Sequence, residues 1–325
     1  MKIHFWERDG RKNDADFRET AGSFSNICFI LEKGLRKLDC YTDNPEEADF
    51  IGLADSLATD WVAPYGKKSF GIFFTDTINA APTIQIERAK NNPGLRLFSL
   101  NNHTADLFKK NGLNCDVIGK SIDGDYWKPT VPKNSKFTFL STGFTNFRSG
   151  VDLLIQAFER AFHKNNNVQL IIKNTPGTHT QLIERINESE SNIEYIEKRM
   201  TNTELKDLYS SSHVTCNVLR FSGHGLPLAE SCLCGSLSLA GDFNPSNELI
   251  TPNSGVLLKP SGEVAVSDII RHLVNYWGLT DTFGGLSFTE EPMIYDYYID
   301  EYVDLLRNIY DNYHRYDLTD QRIEL

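Results

Sequence analysis

The sequence predicts an α/β protein in which two domains each contain a mostly parallel β-sheet. Short apolar runs typical of strands alternate with helical stretches, and parallel strands need a crossover, usually a helix, between them. The length of 325 residues and the hydrophobic content of 40% suffice for two separate cores. A polar stretch at 131–136 separates the two halves.

In the first half, strands are expected where apolar runs are rich in aromatic and β-branched residues, at 2–6, 49–53, 69–74, 95–100 and 115–118. Helices are expected at 83–90 and 104–110. A further helix begins near Ser23, because Ile27, Ile30 and Leu31 recur at helical spacing.

Residues 7–20 form a predicted polar loop that contains Arg8 and Arg11, and Gly22 and Ser23 form a turn before the first helix. Backbone N–H groups at a helix N-terminus attract anions. The turn at Gly22 and Ser23 is therefore predicted to offer N–H groups to a ligand, beside the basic residues Arg8 and Arg11. The alternative is an ordinary turn that follows a solvated basic loop.

The segment 203–260 carries the clearest chemical signal. A predicted helix at 203–209 and a predicted strand at 213–218 precede a loop with Gly223 and Gly225, and a second helix opens at Leu226 and Pro227. Proline is tolerated in a first helical turn, and the unpaired N–H groups there attract a phosphate. Glu230, one turn into the helix, can accept two hydrogen bonds from a ribose diol. The alternative is an ordinary β-α-β crossover with a glutamate on the helix surface.

The segment 221–235 resembles the donor-site signature of the GT-B glycosyltransferases of family 4. The residues in register with that signature are Gly223, Gly225, Leu226, Pro227, Glu230 and Gly235. Ser222 replaces the first glutamate of the signature, and His224 replaces an aromatic residue. The resemblance implies that Glu230 holds the nucleotide ribose and that Ser222 and His224 face the donor sugar.

The resemblance also implies a GT-B architecture, in which two Rossmann-like domains have a cleft between them. Residues 118–129 are similar to the family's interdomain phrase. The predicted domains are 1–130 on the acceptor side and 131–285 on the donor side. The segment 286–325 is predicted to be helical, with one helix at 295–316 that, by the resemblance, packs on the first domain.

Residues 143–150 resemble a second motif of the family, in which two cations hold the donor diphosphate. Phe144 and Ser149 stand at the places of those cations, so the adjacent Arg148 is predicted to supply one charge beside Gly143. A guanidinium can bind a phosphate through two parallel hydrogen bonds. Lys173, at the end of the predicted strand 168–174, is the predicted second cation. For both side chains, a solvated position is the alternative.

Two polar residues of the first half follow predicted strands, beyond which ligands of parallel sheets bind. Asp76 follows the strand 69–74 and is a candidate catalytic residue, although a turn or helix N-cap is an equally typical role for aspartate. The resembled family often has a histidine near the donor sugar. His103, after the strand 95–100, is the candidate here, with a surface or capping role as the alternative.

The composition excludes several classes of protein. No run approaches 18 apolar residues, so no membrane span is expected, and the first residues lack the apolar run of a signal peptide. The six cysteines show no metal-ligand spacing and are predicted to be reduced thiols of a cytoplasmic protein, in the host cytoplasm if the chain is viral. The net charge of −11 disfavours nonspecific binding of nucleic acid. Neither a metal nor a cofactor is predicted.

The resemblance therefore predicts a retaining, metal-independent glycosyltransferase that moves a hexose or a pentose from a nucleotide diphosphate sugar, with UDP-sugar favoured, to a hydroxyl of a saccharide or small molecule. A pentose is considered because Ser222 is shorter than glutamate. One alternative is a phage-type DNA glycosyltransferase that acts on hydroxymethylated bases through its basic loop. Another is a non-catalytic sugar-nucleotide binding protein, since three signature residues are replaced.

Overall fold

The computed structural model describes residues 1–5, 23–54, 68–73, 75, 77–119, 122–177, 179–244, 246–252, 254–316 and 318. The chain forms two compact units. The first contains Met1–Asp123 and Leu286–Glu290, and the second contains Gly124–Gly285 and Glu291–Glu324. No helix in the described ranges is long and apolar enough to cross a membrane.

The described part of the first unit contains a five-stranded parallel sheet in the order β1-β2-β3-β4-β5. The strands are β1 (Ile3–Phe5), β2 (Phe50–Ala54), β3 (Lys68–Phe73), β4 (Arg96–Ser99) and β5 (Cys115–Val117). Its helices are α1 (Ser23–Lys37), α2 (Thr83–Asn91) and α3 (Asn102–Lys110). Ile72 and Phe73 belong to two different apolar clusters, because consecutive strand residues face opposite sides of a sheet.

The second unit contains a six-stranded parallel sheet in the order β11-β10-β9-β6-β7-β8 among its described residues. The strands are β6 (Phe137–Gly143), β7 (Val168–Asn174), β8 (Ile193–Glu197), β9 (Val214–Asn217), β10 (Leu237–Gly241) and β11 (Gly255–Leu258). The helices between and after them are α4 (Val151–Phe162), α5 (Thr180–Glu188), α6 (Asn202–Ser211), α7 (Leu226–Leu233), α8 (Val266–Trp277) and α9 (Ile299–Asn312).

The strand order of the second unit reverses at β6. The chain proceeds from β6 outward through β7 and β8, and then returns to place β9 on the other side of β6. In an open parallel sheet, the crevice beyond the carboxyl ends of the strands at such a reversal is where ligands bind. The loops after β6 and β9 therefore form the first place to look for a site.

The last part of the second unit differs from the prediction at one point. Tyr295 and Asp296, predicted to open the helix 295–316, belong instead to β13 (Met293–Asp296), which pairs antiparallel with β12 (Gly262–Ala265). The final helix, α9, packs on α4, and its packing on the first domain stays a prediction. Arg307 Nη2 donates to Arg160 O at 2.7 Å, and the Tyr310 ring packs edge-on against Phe162.

Candidate functional site

The loops that follow β6 and β9 are held against each other. Arg220 N donates to Arg148 O at 2.8 Å. Gly150 has φ +63°, and a Cβ atom at this position would lie 2.2 Å from Val218 O. Only glycine fits a left-handed conformation in such close contact with backbone. The two loops therefore form one continuous surface at the carboxyl edge of the sheet.

A buried ion pair reinforces this junction. Arg220 donates to both carboxylate oxygens of Asp152, in the first turn of α4, at 2.7 and 2.6 Å, and to Phe147 O at 3.1 Å. Both charged side chains are 3% exposed. Burial lowers the pKa of Arg220, but the Asp152 carboxylate more than offsets this and raises it above its usual value. The pair was not predicted, because its members are 68 residues apart and no local motif joins them.

Helix α7 begins as the sequence predicts. Gly225 is its N-cap in the left-handed conformation at φ +79°, and Pro227 lies in the first turn. No described side chain caps this end, so its backbone N–H groups and the positive end of the helix dipole face the loop after β9. At the other end, Lys133 Nζ donates to Gly235 O and to Ser212 O after α6, both at 2.6 Å. Burial lowers the pKa of this lysine to about 8.

Glu230 lies on α7 and is buried, with 6% of its surface exposed. Tyr209 Oη donates to its Oε2 at 3.3 Å and is itself 3.2 Å from Thr142 Oγ1, near the end of β6. Burial raises the pKa of Glu230 to about 7, although Tyr209 and Lys173 act to lower it. Because a carboxylate accepts about four hydrogen bonds, and Tyr209 is the one donor among the described residues, Glu230 retains capacity for a ligand.

Lys173 is also buried and lies near the end of β7. Burial and the nearby Arg199 lower its pKa, whereas Glu230 acts to raise it. The next residue, Asn174, accepts from Thr145 N at 2.8 Å and donates to Tyr195 Oη at 2.8 Å. The loop after β6 is thereby tied to the end of β7, with Lys173 beside the Glu230 carboxylate.

Arg148 lies half-buried in the loop after β6. Its Nη1 is 3.5 Å from Phe221 O, and its guanidinium lies 5.6 Å from the centre of the Phe283 ring. Gly143 ends β6 with φ +133°, while Phe144, at the place of a family cation, is 42% exposed.

In the loop that leads to α7, Ser222 is half-buried and both Gly223 and His224 are buried. The structure therefore brings Arg148, Lys173 and Glu230 together with this loop at one edge of one sheet.

Asn217, the last residue of β9, was missed by sequence reasoning. It is 4% exposed, and its Nδ2 has no hydrogen-bond partner among the described residues. The Cys216 side chain faces Tyr302 of α9, so its neighbours Thr215 and Asn217 face the opposite side of the sheet. That side carries α7, because Ser238, paired with Thr215, donates to Leu228 O. The signal available in the sequence was a polar amide at the end of a short strand, just before the loop with Gly223 and Gly225.

Most predicted site residues of the first unit lie outside the part of the chain that the structure describes. These are Arg8, Arg11, Gly22 and Asp76, and Ser23 is described only as the first residue of α1. His103 lies in the first turn of α3, where its Nε2 is 2.9 Å from Thr77 O. This contact ties the ring to the chain before α2, and the catalytic role of His103 stays a prediction.

The comparisons with known proteins agree with this geometry. Residues 125–283 match the family model of the glycosyl transferases group 1. No curated protein sequence matches the chain. Anabaena HepE, solved in complex with UDP and glucose, is 14% identical with a TM-score of 0.57, over 85% of this chain and 90% of its own.

Two further solved structures are similar at a TM-score of 0.59. The pneumococcal O-GlcNAc transferase GtfA, in complex with UDP and GlcNAc, is 13% identical, and the match covers 90% of this chain but 55% of that protein. The chain thus spans about half the length of that transferase. AviGT4, a glycosyltransferase involved in avilamycin A biosynthesis, is 14% identical over 97% of both chains. Because the sequence identities are this low, the structural similarity establishes the fold alone. It confirms the predicted α/β class with two Rossmann-like units of GT-B type.

Proposed function

We propose that this chain, whose residues 125–283 match the family model of the glycosyl transferases group 1, moves a sugar from a nucleotide diphosphate sugar to an acceptor hydroxyl. The observation that carries the proposal is the position of Glu230. It is a buried carboxylate with one donor in the described chain, one turn into a helix whose N-terminus no described side chain caps. A nucleotide offers both the diol and the anion that this arrangement lacks.

In the proposed complex, Glu230 accepts hydrogen bonds from the ribose hydroxyls, and the N–H groups of residues 223–226 bind the diphosphate. Arg148 and Lys173 add positive charge. The buried Lys173 has a lowered pKa, so a diphosphate beside it would favour its protonated form and gain an ion pair in return.

During transfer, the oxygen of the acceptor hydroxyl forms a bond to the anomeric carbon while the bond from that carbon to the diphosphate breaks. The hydroxyl proton passes to an oxygen of the leaving diphosphate. The diphosphate leaves with the bonding electrons, so negative charge grows where the helix N-terminus and the two cations lie. Groups placed in advance at such a position lower the barrier. Asp76 and His103 remain the proposed catalytic residues of the first unit, with Gly22, Ser23, Arg8 and Arg11 as the proposed acceptor and phosphate loop.

UDP-sugar is the proposed donor, because the structures of the pneumococcal transferase and of HepE were solved with UDP. Ser222 and His224 are proposed to face the sugar, which is a hexose or a pentose. Retention of the anomeric configuration, membership of family 4 and independence of metal are proposed from the sequence resemblance. The acceptor is proposed to be a saccharide or small molecule.

One observation favours a second candidate, a non-catalytic sugar-nucleotide binding protein. Phe144 occupies a family cation position and is 42% exposed, so the loop after β6 offers a ring where a charge is usual. Such a protein would bind the donor without releasing the diphosphate.

The test is donor hydrolysis across UDP-, GDP- and ADP-sugars, with calorimetric binding of the same compounds. The wild-type protein is expected to release a nucleoside diphosphate from one donor. Glu230→Ala is expected to abolish both donor binding and this release. Binding without turnover of any donor or offered acceptor would favour the second candidate. Absence of both would contradict the proposed donor site.

A further inference from the structure

We propose that Tyr209 is a positioning residue that holds the Glu230 carboxylate ready to accept the ribose hydroxyls, and that Thr142 orients Tyr209 in turn. The inference rests on the proposed role of Glu230 in nucleotide binding. It assigns a function to the hydroxyl groups of Tyr209 and Thr142, which lie outside the loops after β6 and β9.

The geometry sets the direction of the hydrogen bonds. Tyr209 Oη lies 3.2 Å from Thr142 Oγ1 and 3.3 Å from Glu230 Oε2. A phenol has one proton, so Tyr209 can donate to Glu230 only if it accepts from Thr142. If Tyr209 instead donated its proton to Thr142, a lone pair of the Tyr209 oxygen would face the Glu230 carboxylate oxygen. The chain of donors Thr142 to Tyr209 to Glu230 is therefore the arrangement that suits an ionised Glu230.

The Tyr209 ring is fixed in place. Its side chain is fully buried on α6, and the Trp127 ring packs edge-on against it with 6.0 Å between ring centres. Burial, followed by the nearby Glu230, raises the pKa of Tyr209 well above its usual value, so the hydroxyl stays protonated as a donor. A rigid donor orients its acceptor at little entropic cost.

The other groups near Glu230 do not replace this donor. Lys173 acts on Glu230 through charge, without a described hydrogen bond to it. Cys234 remains a neutral thiol at working pH, because burial and Glu230 raise its pKa to about 12. Removal of the Tyr209 hydroxyl therefore removes the hydrogen bond that favours the ionised carboxylate and leaves only the charge of Lys173.

The experiment measures UDP binding by calorimetry between pH 5.5 and 9 in the wild type and Tyr209→Phe. The ratio of the two affinities cancels the titration of UDP itself. We expect Tyr209→Phe to bind about fivefold more weakly at pH 7 and to recover most of the loss at pH 9, because the Glu230 midpoint moves up from about 7 by roughly one pH unit. Thr142→Val should shift the midpoint in the same direction by a smaller amount.

Tyr313→Phe is the matched control, because it removes a half-buried tyrosine hydroxyl that donates to His213 O at 3.1 Å and does not contact Glu230. It should leave the pH profile unchanged. A Tyr209→Phe profile with the wild-type midpoint, or one that is uniformly weaker at every pH, would overturn the proposal and leave Tyr209 a packing residue.

A second measurement needs no ligand. The Tm of the wild type and the Tm of Tyr209→Phe are each compared with the Tm of the same protein that also carries Glu230→Gln. Measured as a function of pH, this difference reports the ionisation of Glu230. In the Tyr209→Phe background this difference should appear at a higher pH than in the wild type, and an unchanged position would overturn the inference. If UDP does not bind the wild type, the proposed function fails, while this Tm comparison still decides the role of Tyr209.

Discussion

Two carboxylates are buried among the described residues of the second unit, and their hydrogen-bond partners differ. Asp152 receives two short hydrogen bonds from Arg220 in a bidentate pair. Glu230 receives one long hydrogen bond, from Tyr209, among the described residues, and burial raises its pKa to about 7.

The comparison shows where a fold satisfies its own charges and where it leaves them for a ligand. A paired charge costs little once its partner is fixed, whereas a poorly paired one destabilises the protein until something else binds. Asp152 and Arg220 thus form part of the scaffold that joins two loops, and Glu230 has the character of a binding residue. The following experiments test this contrast.

The largest effect is expected at the ion pair. Arg220→Met leaves Asp152 charged and buried without its partner, so the free energy of unfolding should fall by about 3–5 kcal/mol. Urea denaturation measures this. The double variant with Asp152→Leu should recover part of the loss, because no unpaired charge remains.

Arg160→Met is the matched control, since Arg160 pairs with Asp300 at the surface, where the two side chains are 55% and 81% exposed. This change should cost less than about 1 kcal/mol. Equal losses at Arg220 and Arg160 would remove the distinction between the two environments.

A smaller effect of opposite sign is expected at Glu230. Its pKa is about 7 in the folded protein against 4.5 ordinarily, so its stabilising contribution is complete below about pH 4.5 and is lost as the pH rises through 7. Glu230→Gln should therefore match the wild type near pH 4.5 and exceed its unfolding free energy by about 3 kcal/mol at pH 8. UDP binding should weaken at the same time.

The exposed Glu190, which pairs with Lys164 at 3.0 Å, provides the control Glu190→Gln, with an effect below about 1 kcal/mol at both pH values. The titratable groups around Glu230 are Lys173, Tyr209 and Cys234, and burial keeps Tyr209 and Cys234 protonated in this pH range. A Glu230→Gln variant less stable than the wild type at pH 8 would mean that the protein satisfies this carboxylate by itself.

The smallest effects are expected at two buried amides. The Nδ2 of Asn217 lacks a hydrogen-bond partner among the described residues, whereas the Asn174 amide has two hydrogen bonds. Asn217→Leu removes the unpaired Nδ2 and should raise the unfolding free energy by about 1 kcal/mol while UDP binding weakens. Asn174→Leu removes an amide with two hydrogen bonds and should lower it by about 1–3 kcal/mol. Thermal unfolding and calorimetry measure both. A loss of stability at Asn217 as large as that at Asn174 would contradict its assignment as an unsatisfied donor.

Local signals in the sequence predicted much of the fold and part of the site. The start of α7 follows from Gly225 and Pro227, whose backbone preferences act within a few residues. The place of Glu230 one turn later follows from helix geometry. The predicted helix 295–316 includes the last two residues of the short strand β13, because four residues carry too little periodicity to outweigh the pattern beside them.

The remaining features depend on pairings that no local pattern encodes. Arg220 meets Asp152, and Tyr209 meets Thr142, only because the sheet order places β9 beside β6. The unpaired state of Asn217 likewise depends on which elements surround it. Sequence reasoning named the residues that a motif marks, and the structure supplied the residues that hold them.

The position of β9 beside β6 also has a consequence for the order of folding. Neighbouring strands β6 and β7 can pair as soon as α4 connects them, but β6 pairs with β9 only after a chain excursion that includes β7 and β8. Contacts that close long loops form late and slowly. The proposed nucleotide site lies between β6 and β9, so a nucleotide bound there would selectively stabilise the fully assembled sheet over partly folded forms.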